Sequence, residues 1–215
     1  MGQESNDKVG GGGTGGARDA HAPYVKETIP LAASHRWKAS PGFNILVIDA
    51  GAVRFEYPQG WHVLPKGRQL KVHDRPPPAD EGRFVVTVFR LPRLDSGSWD
   101  ELPLDELLRG AMTDSREKSR KRRGGKGQAS KLVHDVTSVR RPDLEYVWAE
   151  HSGPDRENGR LVYTRQTMAR ARGVQPLVTF DYYASRAEEY RPVWQHMVDT
   201  LRLGAPVSLL GDASN

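Results

Sequence analysis

The sequence predicts an α+β domain: an antiparallel sheet of about six strands with cover on each of its faces. Three observations carry that expectation. Residues 84–89, Phe-Val-Val-Thr-Val-Phe, are apolar at both parities, which fits a strand buried on both sides rather than one with a wet face. Residues 132–183 hold several strand-like runs punctuated by Asn158-Gly159 and Arg172-Gly173, the pattern of an antiparallel meander. Finally, Tyr190, Val193, Trp194, Met197, Val198 and Leu201 recur at the spacing of one helical stripe.

Taken in order, residues 1–35 form a Gly-rich tail with little to bury, expected to be disordered. A Gly-x-Gly-x-x-Gly match falls inside it, but a dinucleotide site needs a strand before and a helix after, and neither is present. A single domain is expected over 36–204. Phe43 to Ile48 and Val53 to Tyr57 read as a hairpin around Asp49-Ala50-Gly51. Val53, Phe55 and Tyr57 share one side of the second strand, and Pro58 and Gly60 then turn the chain into Trp61. With Pro58 second and Gly60 fourth, this suits a type I turn. His62 to Leu64 and Leu70 to His73 pair as short strands, and 74–82, with prolines at 76–78, is an irregular loop.

Leu104, Leu107, Leu108 and Ala111 predict a short helix over 103–112. A basic loop insertion is expected at 113–131. Within 116–131 there are eight Lys or Arg residues and a single acid, Glu117; without that window the formal charge of +5 turns slightly negative. Strands are expected over 132–139, 144–150, 161–171 and 177–183. Ser185 and Glu188 have capping-box spacing. Pro192, costly inside a helix, predicts a turn over 185–190 and a main helix from 191 to 202. Residues 205–215 read as a flexible tail.

Chemistry finds no visible home. There are no cysteines, so disulfides, thiolate metal sites, Cys nucleophiles and a lipoprotein anchor are all excluded. The seven histidines are scattered without ligand spacing. Lys126 follows Gly124-Gly125, but no Ser or Thr succeeds it, so a phosphate loop is not indicated. Trp61, Trp148 and Trp194 fit core positions better than a ligand-stacking cluster. The expectation is therefore no enzyme, no metal and no cofactor. No run reaches the ~18 apolar residues of a membrane span, and 1–22 lack a signal-peptide apolar region, so a cytoplasmic location is expected.

The segment Phe-x-Tyr-Pro-x-Gly-Trp (Phe55, Tyr57, Pro58, Gly60, Trp61), together with the final Val193, Trp194, Val198 and Leu201, resembles the PsbP-like superfamily over residues 43–204. The resemblance implies an α/β/α sandwich, with helices on both faces of the sheet. It also implies action by binding proteins, as adaptor, assembly factor or chaperone, without a shared catalytic constellation. The basic insertion and the missing anchor Cys depart from the familiar pattern. Two functional readings follow: a non-catalytic protein-binding module, or a polyanion binder. For the latter, Lys118, Arg120, Lys121, Arg122, Arg123 and Lys126 would meet an acidic protein, nucleic acid or an anionic surface. No aromatic residue falls between 113 and 145, which leaves base stacking without support.

Overall fold

The computed structural model describes residues 23–29, 37–92, 98–122, 130–155 and 157–204, and for 100 and 114–122 the backbone alone. Among these the order is β1 (Phe43–Ile48), β2 (Val53–Pro58), β3 (His62–Lys66), β4 (Gln69–His73), β5 (Gly82–Arg90), α1 (Leu104–Arg122), β6 (Lys131–Arg140), β7 (Glu145–Pro154), β8 (Leu161–Arg170), β9 (Val174–Tyr183), α2 (Ala187–Thr200) and β10 (Arg202–Leu203). They form a seven-stranded antiparallel sheet in the order β3-β4-β5-β9-β8-β7-β6, and a three-stranded one, β1-β2-β10. The expected single sheet of about six strands is thus corrected to two sheets. The N-terminal hairpin does not join the main sheet; it pairs with β10, the chain leaving α2.

Cross-strand neighbours align into rows. His134, Glu150, Arg165, Phe180, Phe84, Val72 and Val63 follow one another across all seven strands. The row is charged at one end and apolar at the other. At the apolar end Phe84 and Phe180 stack at 4.1 Å, and Trp61 packs on Phe84 at 5.6 Å and on Tyr190 at 5.9 Å. The Trp of the Pro-x-Gly-Trp turn therefore anchors the main core. Its turn is shifted by one residue from expectation. Trp61 N–H donates to the Pro58 carbonyl, so Pro58 comes first and Gly60, at φ +85°, third, where a type II turn requires left-handed backbone. The shift arises because Pro58 closes β2, paired with Phe43.

The two helices bury different sets of side chains. Leu104, Leu108 and Met112 of α1 pack with Val147, Ala149 and Met168. Tyr190, Trp194, Met197 and Val198 of α2 belong to the larger core with Tyr146, Ala169, Val178 and Phe180. Along β7, β8 and β9 these sets alternate, as side chains of successive strand residues do.

Three local expectations fail for stated reasons. The helix expected to end at Met112 runs on to Arg122, so residues 113–122, the first part of the expected basic loop, are helical. The second side of β5 is less covered than its sequence suggests. Phe84, Val86 and Val88 are buried, but Phe89 is 46% exposed, because the contacts of α1 fall on β6, β7 and β8. And α2 begins at Ala187 and passes through Pro192. Ala187 and Tyr190, before the proline, are buried; burying large apolar side chains at about 1.5–3 kcal/mol each offsets the ~3 kcal/mol that Pro costs. The capping box does not form: Arg186 occupies the N-cap without a side-chain cap.

Most of the expected tail, 1–22, lies outside the described residues, as does 205–215. Tyr24 within it nevertheless donates its N–H to the Gly67 carbonyl and packs on the main core. Packing thus begins earlier than residue 36 at that point. The loop 74–82 is held by Asp74, whose carboxylate accepts from the Glu81 and Gly82 N–H groups and from the Tyr190 hydroxyl at 2.6 Å.

Candidate functional site

The basic window divides at Arg122. Lys118, Arg120, Lys121 and Arg122 occupy the last turns of α1, whereas Arg123 and Lys126 lie outside the described residues. Among the described side chains Met112 is the last core residue of the helix, and none of positions 113–122 is apolar. Two local effects support this half. Cations near a helix C-terminus complement its dipole, and Asp114/Lys118 and Glu117/Lys121 are favourable i, i+4 pairs by position. Arg116/Arg120 and Lys118/Arg122 are like-charge pairs at the same spacing and oppose it. Earlier on the helix, Arg109 reaches Asp135 on β6 at 2.7 Å.

The edges of the seven-stranded sheet are poor templates for strand addition. β3 is five residues long and contains Pro65, which lacks a backbone donor. β6 is longer, but its register shifts between Leu132 and His134 and again between His134 and Thr137. Such bulges twist an edge away from a flat partner.

A buried ion network that the sequence analysis does not anticipate joins three strands to α2. Glu150 on β7 is wholly buried, and its Oε2 accepts from Arg165 Nε at 2.7 Å and from the Tyr182 hydroxyl at 2.8 Å. Its Oε1 takes a longer bond from Arg191 Nη2 at 3.3 Å. The Arg165 guanidinium lies over both the Trp148 and Trp194 rings, 4.5 and 4.3 Å from their centroids, and the two rings pack on each other at 4.9 Å. Burial pushes the Glu150 carboxyl up, but the Tyr182 hydroxyl and the two guanidinium groups outweigh it and hold it below the usual range. Burial and the bond to Glu150 push Tyr182 up to about 12. A carboxylate held ionised in this way is a weak proton acceptor at neutral pH, and a phenol so raised is a weak acid. The arrangement clamps structure rather than moving protons. The i, i+15 spacing of Glu150 and Arg165 on neighbouring hairpin strands was its one sequence signal.

Other polar clusters serve similar ends. Arg170, buried, joins Glu145 to the Trp99 and Leu102 carbonyls. Arg141 donates to the Val198, Asp199 and Leu201 carbonyls at the C-terminal end of α2. His196 meets Glu56 at 2.8 Å and stacks on Phe43. A recess of about 220 Å³ beside β2 is lined by Trp37, Lys38, Glu56 and Arg202 among others, with Arg54 lying over the Trp37 ring. Among the described residues no three His, Asp or Glu side chains converge as a metal site, and no helix is long and apolar enough to cross a membrane. Of the fold-signature residues, Phe55 and Trp194 are buried, Tyr57 and Trp61 lie against the same core, and Pro58 and Gly60 shape the turn between β2 and β3.

Comparison with known proteins agrees with this geometry. The Alr1449 family model matches residues 44–207. A protein of Nostoc sp. (strain PCC 7120 / SAG 25.82 / UTEX 2576), "Uncharacterized protein alr1449", is 32% identical over 188 residues, 87% of this chain and 91% of its own. The solution structure of cyanobacterial PsbP (CyanoP) from Synechocystis sp. PCC 6803 superimposes with a TM-score of 0.56 at 10% identity, covering 77% of this chain and 94% of that one. The Saccharomyces cerevisiae Ran-binding protein Mog1p gives 0.48 at 11% identity, over 76% and 96%. The Phe-x-Tyr-Pro-x-Gly-Trp turn, the meander and the closing α2 thus belong to a chain of the Alr1449 family with the PsbP-like fold.

Proposed function

We propose that this chain is a non-catalytic protein-binding module whose binding element is the basic C-terminal half of α1, offered to an acidic protein segment. The observation that carries the reading is that α1 runs ten residues past Met112, its last core residue among the described side chains, without an apolar residue. A helix draws most of its stability from packing an apolar face. A polar extension of this length, dense in like charge, gains most when an opposite charge lies against it. The blunted edges β3 and β6 favour a helix face over strand addition as the docking element. In this reading the framework is an α/β/α sandwich, with α1 and α2 on opposite faces, as the alternation of their partners along β7 and β8 supports. The ionised, clamped state of Glu150 and the structural duties of the other polar clusters support a non-catalytic role.

The test replaces Lys118, Arg120, Lys121, Arg122, Arg123 and Lys126 with Gln and compares both proteins on immobilised poly-glutamate, on duplex DNA and by capture from source lysate. Retention of wild type on poly-glutamate, together with a captured protein lost in the variant, supports the reading. Salt-dependent retention on DNA with none on poly-glutamate points to nucleic acid instead. Capture unchanged in the variant leaves a protein-binding module but removes α1 as its contact.

A further inference from the structure

The recess on the three-stranded sheet concentrates positive charge. Of the side chains that line its roughly 220 Å³, Lys38, Arg54 and Arg202 are cations and Glu56 alone is an acid. Arg54 on β2 and Arg202 on β10 are direct cross-strand partners. Like charges directly opposite each other in an antiparallel pair repel. The fold nevertheless sets both arginines on one hollow, with Lys38 as a third cation.

The two guanidinium groups are held in place. That of Arg54 lies over the Trp37 ring, 4.2 Å from its centroid. Arg202 Nη1 donates to the Asp199 and Leu201 carbonyls at 3.1 and 2.8 Å. The lining acid is already engaged. Glu56 Oε2 accepts from the Ser40 N–H at 3.1 Å and meets His196 Nε2 at 2.8 Å. Asp143 comes within 3.6 Å of Arg202 Nε, but Arg141 bonds it at 3.1 Å, and the charges of that pair offset each other. Three cations against one carboxylate leave two positive charges over the recess.

Two charges with fork-shaped donors match a phosphate monoester, which carries about −1.5 to −2 at neutral pH. A carboxylate would neutralise only one of them. The space, about seven water volumes, suits a phosphate with a few carbons better than a nucleotide. Trp37 and Ile45, both half-buried, give those carbons an apolar wall.

We propose that this recess binds the phosphate group of a small phosphate monoester. Arg54 and Arg202 donate to its oxygens, Lys38 adds a third charge, and Trp37 lines the ester carbons. The site is separate from the α1 contact, since α1 packs on β6, β7 and β8.

The test titrates the isotopically labelled full chain with glycerol 3-phosphate, inorganic phosphate and acetate at fixed ionic strength, reading backbone amide shifts. Saturable shifts at Ile45, Arg54 and Thr200 are expected with glycerol 3-phosphate, at a Kd of about 1 mM or tighter. Weaker binding of inorganic phosphate assigns the ligand to an ester; equal binding supports the same site and assigns it to the free ion. Arg54→Gln should weaken binding about tenfold and Lys38→Gln about threefold. Lys38 is exposed, so its replacement tests the charge even if the Arg54 variant folds poorly. Shifts that do not saturate, acetate bound as tightly as the ester, or an affinity that Lys38→Gln leaves unchanged overturn the proposal.

Discussion

Replacing Glu150 with Gln tests the ion network most directly. The substitution preserves volume and one acceptor oxygen but removes the only carboxylate that faces Arg165 among the described contacts. Arg165 is 5% exposed against two indole rings, so it keeps a buried charge without a counter-charge, whereas Arg191 is exposed enough to turn toward water. Breaking a buried pair costs about 3–5 kcal/mol. The surviving amide oxygen and the two ring contacts of Arg165 place the expectation near the lower end, about 3 kcal/mol. Urea unfolding followed by Trp fluorescence is the assay; at an m of about 2 kcal/mol/M the midpoint falls by about 1.5 M, with m unchanged. The pH dependence gives a second reading. The folded carboxyl of Glu150 lies below its ordinary value, so its stabilisation is complete above the unfolded pKa and lost as pH falls through the folded one. The gap between wild type and variant should accordingly narrow below about pH 4. Replacing both partners, Glu150→Leu with Arg165→Met, should recover most of the loss. A single variant within about 1 kcal/mol of wild type, with the gap constant down to pH 3, would refute the assignment of stability to this pair.

Three further outcomes follow from particular contacts. Tyr190→Phe removes the 2.6 Å bond to Asp74 and should cost about 1.5–3 kcal/mol. Against burial, which raises it, that bond and the Glu81 and Gly82 N–H groups hold the Asp74 carboxyl low; the stabilisation is present above about pH 4 and lost on acidification, so the Phe variant should differ less from wild type at low pH. Gly60→Ala forces a side chain onto a residue at φ +85° and should cost about 1–2 kcal/mol in a denaturant melt, though open space surrounds the Cβ. Arg141→Met withdraws donors from three carbonyls at the end of α2 and should raise amide exchange at Leu201 and Arg202 by several-fold, leaving Tyr190 unaffected.

Elements whose signal is local were readable in the residues. Alternation set β2, β7 and β9, Asn158-Gly159 set the β7–β8 hairpin, and the Tyr190-to-Leu201 stripe set α2, with Leu201 just past its end. Boundaries were less legible where tertiary burial competes with propensity. Pro192 argued for a later start to α2, but Tyr190 and Ala187 had cores to fill. The basic run argued for a loop, because like charges give no periodic clue to a helix that continues from a packed first half.

What the sequence by itself determined is which side of each strand and helix is apolar, since a repeat of two or 3.6 residues writes burial directly into the order of residues. Only the tertiary structure decided which strands are neighbours: β5 beside β9, and the first hairpin with β10 rather than the main sheet. It also decided that Glu150 meets Arg165, Tyr182 and Arg191. The physical reason is that a polar side chain keeps the same local pattern whether it faces water or a buried partner. The pairing that makes its burial affordable depends on register and packing between segments distant in the chain.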